Sequence, residues 1–535
     1  MSATVADLTS TQPPELRFAR QYNAATEFID SHLNSGRADK TAVIDDSSSY
    51  TYAELAERTN RAGNALKALG LRQEARVAMI MLDTVNFPAV FWGAIKAGYI
   101  PVPINTLLTP DSYEHIIGDS RAQVLVVSED LLGQVGPALA GQPFLEHVII
   151  DGEPAGGRPT LAALTARASS ELEAAPTTAD DCAFWLYSSG STGAPKGVRH
   201  LHRNLKATSE LYAKNVLGIE ENDVVFSAAK LFFAYGLGNG MTFPFAVGAT
   251  AVYMAERPTP AAVMHVLRTH QPTLFCGVPT LYAAILADEN NNRDSGSQRL
   301  RRCISAGEAL PAEVGKRWES RFGAAILDGV GSTEMLHIFL SNQPGKVRYG
   351  TSGMPVPGYH ARLVDDQNND VAVGEIGELL ISGPSSAEAY WNQREKSLDT
   401  FIGCWTRTGD KYYQDDEGYY HYCGRVDDMM KVGGNWVSPF EVESALIEHD
   451  KVLEAAVIPH HDAADLVKPK AYVVLKNGIQ PSAELAKELQ AFVKLKVAPW
   501  KYPRWIEFMD ALPKTATGKV QRFVLRQMDQ GRGTA

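Results

Sequence analysis

Cysteine is scarce in this chain. There are five in 535 residues, Cys182, Cys276, Cys303, Cys404 and Cys423, and no two form a CxxC pair. An odd number at such spacing excludes a disulfide framework and a zinc cluster, and points to a reducing compartment. Long apolar runs are also missing. The best, "FPAVFWGAIKAGYIPVPI" (87–104), is interrupted by Lys96 and three prolines, which excludes a bilayer-spanning helix. The N-terminus carries Asp7 and Glu15 and no apolar stretch, so a signal peptide is excluded and a soluble cytoplasmic protein is expected. Positive charge is in deficit. A net charge of −11 disfavours nucleic acid and anionic membrane as partners. Internal repeats are absent.

What is present is enough apolar material, 45%, for a large core in a chain too long for one ordinary domain. "TYAELAERTNRAGNALKAL" opens on Thr51 with Glu54 three positions later, a capping box before an amphipathic helix. "RVAMIML" (76–82), "IPVPIN", "AQVLVVS" (122–128) and "HVIID" (147–151) read as strands, with helices up to Lys96 and at 110–119 between them. This alternation predicts parallel sheets of α/β type. Residues 152–181 read as a polar surface connection, and past Gly374 the pattern shortens into strands and turns. Near Asp427 it changes to helix (439–448), strand (452–458), strand (470–476), helix (483–497) and strand (504–508), with a second capping box at Ser438–Glu441. The expected architecture is a large α/β domain (1–426) with mainly parallel sheets and a smaller β subdomain, then a small α+β C-terminal lid domain (427–535). Within the latter, 487–526 holds nine basic residues and three acidic ones, a solvated helix face or an anion-facing surface.

The segment "YSSGSTGAPKG" (187–197) follows the apolar "CAFWLYS" (182–188) and precedes the helical "HRNLKATSELYAKNV". Strand, Gly/Ser/Thr loop with a lysine, then helix is the layout of a phosphate cradle; a plain surface loop is the alternative. The loop is not the P-loop of ATPases, because Pro195 precedes Lys196 and Gly197 follows it. With "SAGEALP" (305–311), "GVGSTEM" (329–335), "CWTRTGD" (404–410), "GRVDDMMKVGGNWVSP" (424–439) and "PKTATGKVQR" (513–522), it forms six segments in order. Together they resemble the adenylate-forming enzymes: acyl- and aryl-CoA ligases, adenylation domains and luciferases.

The resemblance implies a two-step reaction. A carboxylate attacks the α-phosphorus of ATP to give an acyl-adenylate and pyrophosphate, and the thiol of coenzyme A then displaces AMP. It implies that Ser188, Ser189, Gly190, Ser191, Thr192, Gly193 and Lys196 hold phosphates, that Thr333 meets the α-phosphate and that Glu334 holds Mg²⁺. Gly307, Glu308 and Ala309 would line the adenine, with Val330 where many relatives carry an aromatic ring, and Asp328 would reach its amino group. Asp410 would bind the ribose hydroxyls, assisted by Arg425. Lys519 would bridge carboxylate and phosphate in the first step. Asp427 would be the hinge of the small domain, and Gly433 and Gly434 would border the CoA channel.

The acid-binding pocket implied by the resemblance comprises Phe233, Ala234, Tyr235, Ala306, Gly331, His337 and Ile338, with Phe232 in the core. These aromatic walls resemble those of the benzoate–CoA ligases and imply benzoate as the acid. A hydroxy- or aminobenzoate, or loading onto a carrier protein, is the alternative. A nucleotide-binding regulator without catalysis is disfavoured by Glu334, Asp410 and Lys519 together. The sequence leaves open monomer or homodimer.

Overall fold

The computed structural model describes residues 13–190, 193–432, 435–462, 466–498, 500–514 and 520–532. Two sheets dominate the large domain. The first has nine strands, and its interior is parallel: Thr41–Ile44, Thr250–Val252, Val224–Ser227, Leu274–Gly277, Arg302–Ser305 and Ile326–Gly331 lie side by side in that order. Ser49–Thr51 at one edge, and Ile338–Ser341 with Met354–Pro355 at the other, run antiparallel. The second sheet is wholly parallel, in the order Ile100–Pro103, Arg76–Ile80, Val124–Ser128, His147–Asp151. Its inner strands are buried on both faces, as Val124–Ser128 is along its whole length, because helices cover both sides.

The predicted capping box closes at Thr51. Its hydroxyl accepts from the Glu54 N–H, and the Glu54 carboxylate accepts from the Thr51 N–H. The second box is half made. Ser438 caps the Glu441 N–H, but the Glu441 carboxylate pairs with Lys501 at 2.6 Å, a stronger attraction for a carboxylate than a backbone amide. The 152–181 connection is not all loop: Leu161–Arg167 is a helix capped by Thr160.

The β subdomain is antiparallel, with His360–Val364, Gly377–Ser382, Trp405–Gln414 and Phe401–Ile402 in order and Tyr420–Arg425 on the second edge of Trp405–Gln414. The C-terminal part has its own core, in which Val442, Leu446, Val457, Val473, Leu489 and Val493 are buried together. It contains the three-stranded sheet Val452–His461, Val467–Leu475, Trp505–Phe508 and the helices Pro439–Ile447 and Ala483–Lys496, as predicted. The hairpin Met430–Val432/Asn435–Val437 and the helix Arg522–Arg532 were not anticipated.

Candidate active site

The C-terminal ends of the parallel strands, where open α/β sheets bind ligands, carry two of the motifs and the pocket segment. Arg302–Ser305 leads into Ala306, Gly307, Glu308 and Ala309, and Ile326–Gly331 leads into Thr333 and Glu334. Val224–Ser227 leads toward Phe233, Ala234 and Tyr235.

The glycine-rich segment differs from the strand–loop–helix expectation. Cys182–Gly190 pairs antiparallel with a second strand, Gly193–Leu201, with Tyr187 opposite Gly197, Ser188 opposite Lys196 and Gly190 opposite Gly193. The helix begins only at His202, at the far end of this hairpin. A helix N-terminus therefore cannot serve phosphates at the hairpin tip. The Gly and Pro content of "GAPKG" hid the strand, which forms because Val198 and His200 find buried neighbours. Ser191 and Thr192 lie outside the described residues. The Ser188 hydroxyl is buried and has no hydrogen-bond partner among them. The Lys196 ammonium sits 4.1 Å from the ring centroid of Tyr390. Desolvation lowers the Lys196 pKa, and nearby Glu334 opposes that shift.

Thr333 and Glu334 occupy a bend held from three sides. His200 Nε2 donates to the Thr333 carbonyl at 2.8 Å, and the Ala387 N–H donates to the Glu334 carbonyl at 2.7 Å. The Tyr390 hydroxyl donates to Glu334 Oε1 at 2.8 Å. Asn204 Nδ2 donates to His200 Nδ1, which fixes the tautomer, and burial lowers the His200 pKa to about 4, so the ring is neutral. No group of three or more His, Cys, Asp or Glu side chains among the described residues can hold a metal by itself. A Glu334 carboxylate with one oxygen engaged suits a hard cation that takes most of its ligands from phosphates and water.

Asp410 and Arg425 face each other across adjacent strands, with Arg425 Nη1 3.1 Å from Asp410 Oδ1 and 3.0 Å from the Thr408 carbonyl. The Asp410 carboxylate raises the Arg425 pKa above its ordinary value. Asp328 is buried; its Oδ2 accepts from the Leu310 N–H at 3.3 Å and its Oδ1 has no partner among the described residues. Burial pushes its carboxyl up to about 8. Gly307 has φ +95°, a conformation side chains rarely adopt. Glu308 turns toward the small domain, accepting the Val520 N–H on Oε1 at 3.0 Å.

The aromatic residues gather around His337. The ring centroids of Phe243, Tyr212 and Tyr235 lie 4.5, 5.3 and 5.7 Å from its own. His337 Nε2 donates to the Tyr235 carbonyl at 3.3 Å, which leaves Nδ1 as an acceptor, buried and without a partner among the described residues. Burial lowers the His337 pKa to about 3. The Tyr235 hydroxyl is committed to the carbonyls of Gly277 and Ile304. Ile338 is buried in the same cluster as Tyr212, Phe243 and Ala306, while Phe232 is buried and Phe233 and Ala234 are half-buried. Val330 and Gly331 are half-buried at the end of their strand.

Asp427 lies in the turn between Tyr420–Arg425 and Met430–Val432. Its neighbour Asp428 bonds Arg526 at 2.6 Å, and Arg522 is bound through both Glu443 oxygens. Gly433, Gly434 and Lys519 lie outside the described residues. Four residues of the site were missed from sequence: Tyr390, His200, Tyr212 and Phe243. Tyr390 belongs to a two-residue strand, too short for any periodic signal.

Residues 31–391 match the AMP-binding enzyme family, and residues 441–519 match the AMP-binding enzyme C-terminal domain. The chain is 59% identical to benzoate–CoA ligase from Thauera aromatica, over 98% of this chain and 99% of that protein. A crystal structure of a benzoate CoA ligase from Burkholderia xenovorans LB400 is 53% identical with a TM-score of 0.88, covering 94% of this chain and all of the other. An anthranilate CoA ligase in complex with anthranoyl-AMP superposes with a TM-score of 0.94 at 43% identity, covering 97% of this chain and 99% of the other. The order of the six motifs, the placement of two of them at the ends of parallel strands and these matches along the chain lead to one conclusion: the chain belongs to the AMP-binding enzyme family.

Proposed function

We propose that the chain is an ATP-dependent benzoate–CoA ligase, converting benzoate, ATP and coenzyme A to benzoyl-CoA, AMP and pyrophosphate through benzoyl-adenylate. The observation that carries the acid is the ring of Tyr212, Tyr235 and Phe243 around a neutral His337, next to Thr333–Glu334, in a chain so similar to a benzoate–CoA ligase. Apolar ring walls match a flat aryl group better than a long alkyl chain.

In the first step, two anions must approach each other. The hairpin hydroxyls and Lys196 take the β- and γ-phosphates, Thr333 the α-phosphate, and Lys519 the oxygens of carboxylate and phosphate together. Mg²⁺ held at Glu334 would neutralise phosphate charge. Asp410 orients the ribose, and Asp328 offers Oδ1, which has no partner among the described residues, to the adenine edge. Benzoate oxygen bonds to the α-phosphorus and pyrophosphate leaves. The small domain then turns about Asp427, residues 433–434 admit the pantetheine arm, and the thiol, giving up its proton, displaces AMP.

Pyrophosphate release from ATP and Mg²⁺ with benzoate, followed by thioester assay with CoA or a pantetheinylated carrier protein, tests the reading. Equal kcat/KM for benzoate and decanoate would overturn the acid assignment, and preference for the carrier would overturn the CoA assignment. A hydroxy- or aminobenzoate is the second reading. His337 Nδ1 favours it, since a buried acceptor without a partner among the described residues can take a hydrogen bond from a ring substituent.

A further inference from the structure

Residues 387–391 run between the two halves of the phosphate site. On one side Ala389 and Tyr390 pair with Arg199 and Val198 of the hairpin strand, and the Trp391 N–H donates to the Gly197 carbonyl at 2.8 Å. On the other, the Ala387 N–H donates to the Glu334 carbonyl at 2.7 Å. This backbone ladder leaves Tyr390 little choice of position. Its hydroxyl reaches Glu334 Oε1 at 2.8 Å, and its ring face lies 4.1 Å from the Lys196 ammonium. Phe401 packs on the ring at 5.3 Å, and Tyr390 is buried with Val198 and Ala387, so the ring cannot swing out to water.

We propose that Tyr390 is a positioning residue for ATP and its cation. The phenol engages one oxygen of Glu334 and thereby orients the other toward a divalent ion. The ring face holds the Lys196 ammonium beside the phosphate site before the nucleotide arrives. A lysine chain otherwise loses much rotamer freedom on binding, and confining it beforehand lowers that cost. A partner that orients a metal-binding carboxylate affects metal affinity strongly. The inference rests on the assignment of Lys196 and Glu334 to phosphate and cation made above.

The two contacts can be separated in the full-length chain. Tyr390→Phe keeps the ring and removes the hydroxyl, and Tyr390→Met removes the π face at similar volume. Binding of a non-hydrolysable ATP analogue is measured by calorimetry along a Mg²⁺ series and without Mg²⁺, with thermal midpoints as a check on folding. Tyr390→Phe should raise the Mg²⁺ concentration needed for half-maximal tightening by about tenfold, with Mg²⁺-free affinity unchanged. Tyr390→Met should also weaken Mg²⁺-free binding by about threefold or more. A Tyr390→Phe protein with the Mg²⁺ dependence of the unmodified chain overturns the proposal, as does a folded Tyr390→Met protein that binds the analogue like Tyr390→Phe. If Tyr390→Met does not fold, the Tyr390→Phe series alone decides between support and rejection. If the unmodified chain binds no analogue at all, the assignment of the phosphate site fails first, and this proposal with it.

Discussion

The backbone N–H of Val520 donates to Oε1 of Glu308 at 3.0 Å, joining two residues 212 positions apart. Glu308 follows a strand of the nine-stranded sheet, and Val520 opens the segment leading into the last helix. The contact ties the small domain to the edge of the candidate nucleotide site, next to the position of Lys519 in the sequence.

If this contact holds the small domain for the first step, Glu308→Ala should slow benzoyl-adenylate formation by about tenfold, the order expected for losing a hydrogen bond to a charged group. Conversion of supplied benzoyl-adenylate and CoA to thioester should remain near normal. Lys519→Ala should show the same split more severely, by about 10²–10³ in the first step. Both half-reactions are measured on each variant, and equal losses in the two would assign the residues to folding.

Asp328 gives the stability a pH dependence of definite sign. Its folded carboxyl titrates near 8 against an ordinary 3.8, because burial disfavours the charged form. The folded state therefore holds the proton more tightly. The contribution is complete below about 3.8 and is lost as pH rises through about 8. The unfolding free energy of the unmodified chain, from denaturant titration, should fall relative to that of Asp328→Asn between pH 5 and 8, by up to about 1.4 kcal/mol per pH unit. Parallel profiles for the two proteins would contradict this.

Gly238 lies against His337. A Cβ built there would sit 2.4 Å from Cδ2 and 2.7 Å from Nε2 of His337. Gly238→Ala should push the imidazole off the Tyr235 carbonyl, lower stability by about 1–3 kcal/mol and raise the KM for benzoate. Calorimetry and steady-state kinetics check this; an unchanged KM would separate His337 from the acid.

Ile338 is 1% exposed and packs in the cluster that contains Tyr212, Phe243 and Ala306. Ile338→Ala should cost about 2–5 kcal/mol. The space it leaves should let ring-substituted benzoates gain in kcat/KM relative to benzoate. An unchanged substrate profile would put Ile338 in the core only.

Local grammar was legible in the sequence. The Thr51–Glu54 box, the apolar parallel strands and the helix–strand order of the small domain each depend on neighbours a few residues apart, and each appears where expected. The six motifs announced the family because their order along the chain is itself information. The hairpin behind the glycine loop was missed because its second strand is held by cross-strand partners, not by its own propensities. No helix among the described residues is long and apolar enough to cross a membrane.

By itself, then, the sequence determined the fold class, the family and which residue types could handle phosphate and carboxylate, all properties of spacing and composition. Only the tertiary structure decided which of them meet. Tyr390 reaches Glu334 across 56 positions, His200 reaches the Thr333 carbonyl across 133, and Val520 reaches Glu308 across 212. The raised carboxyl of Asp328 and the neutral ring of His337 likewise arise from burial. Burial and long-range contact follow from how elements pack, and no local pattern of residues encodes them.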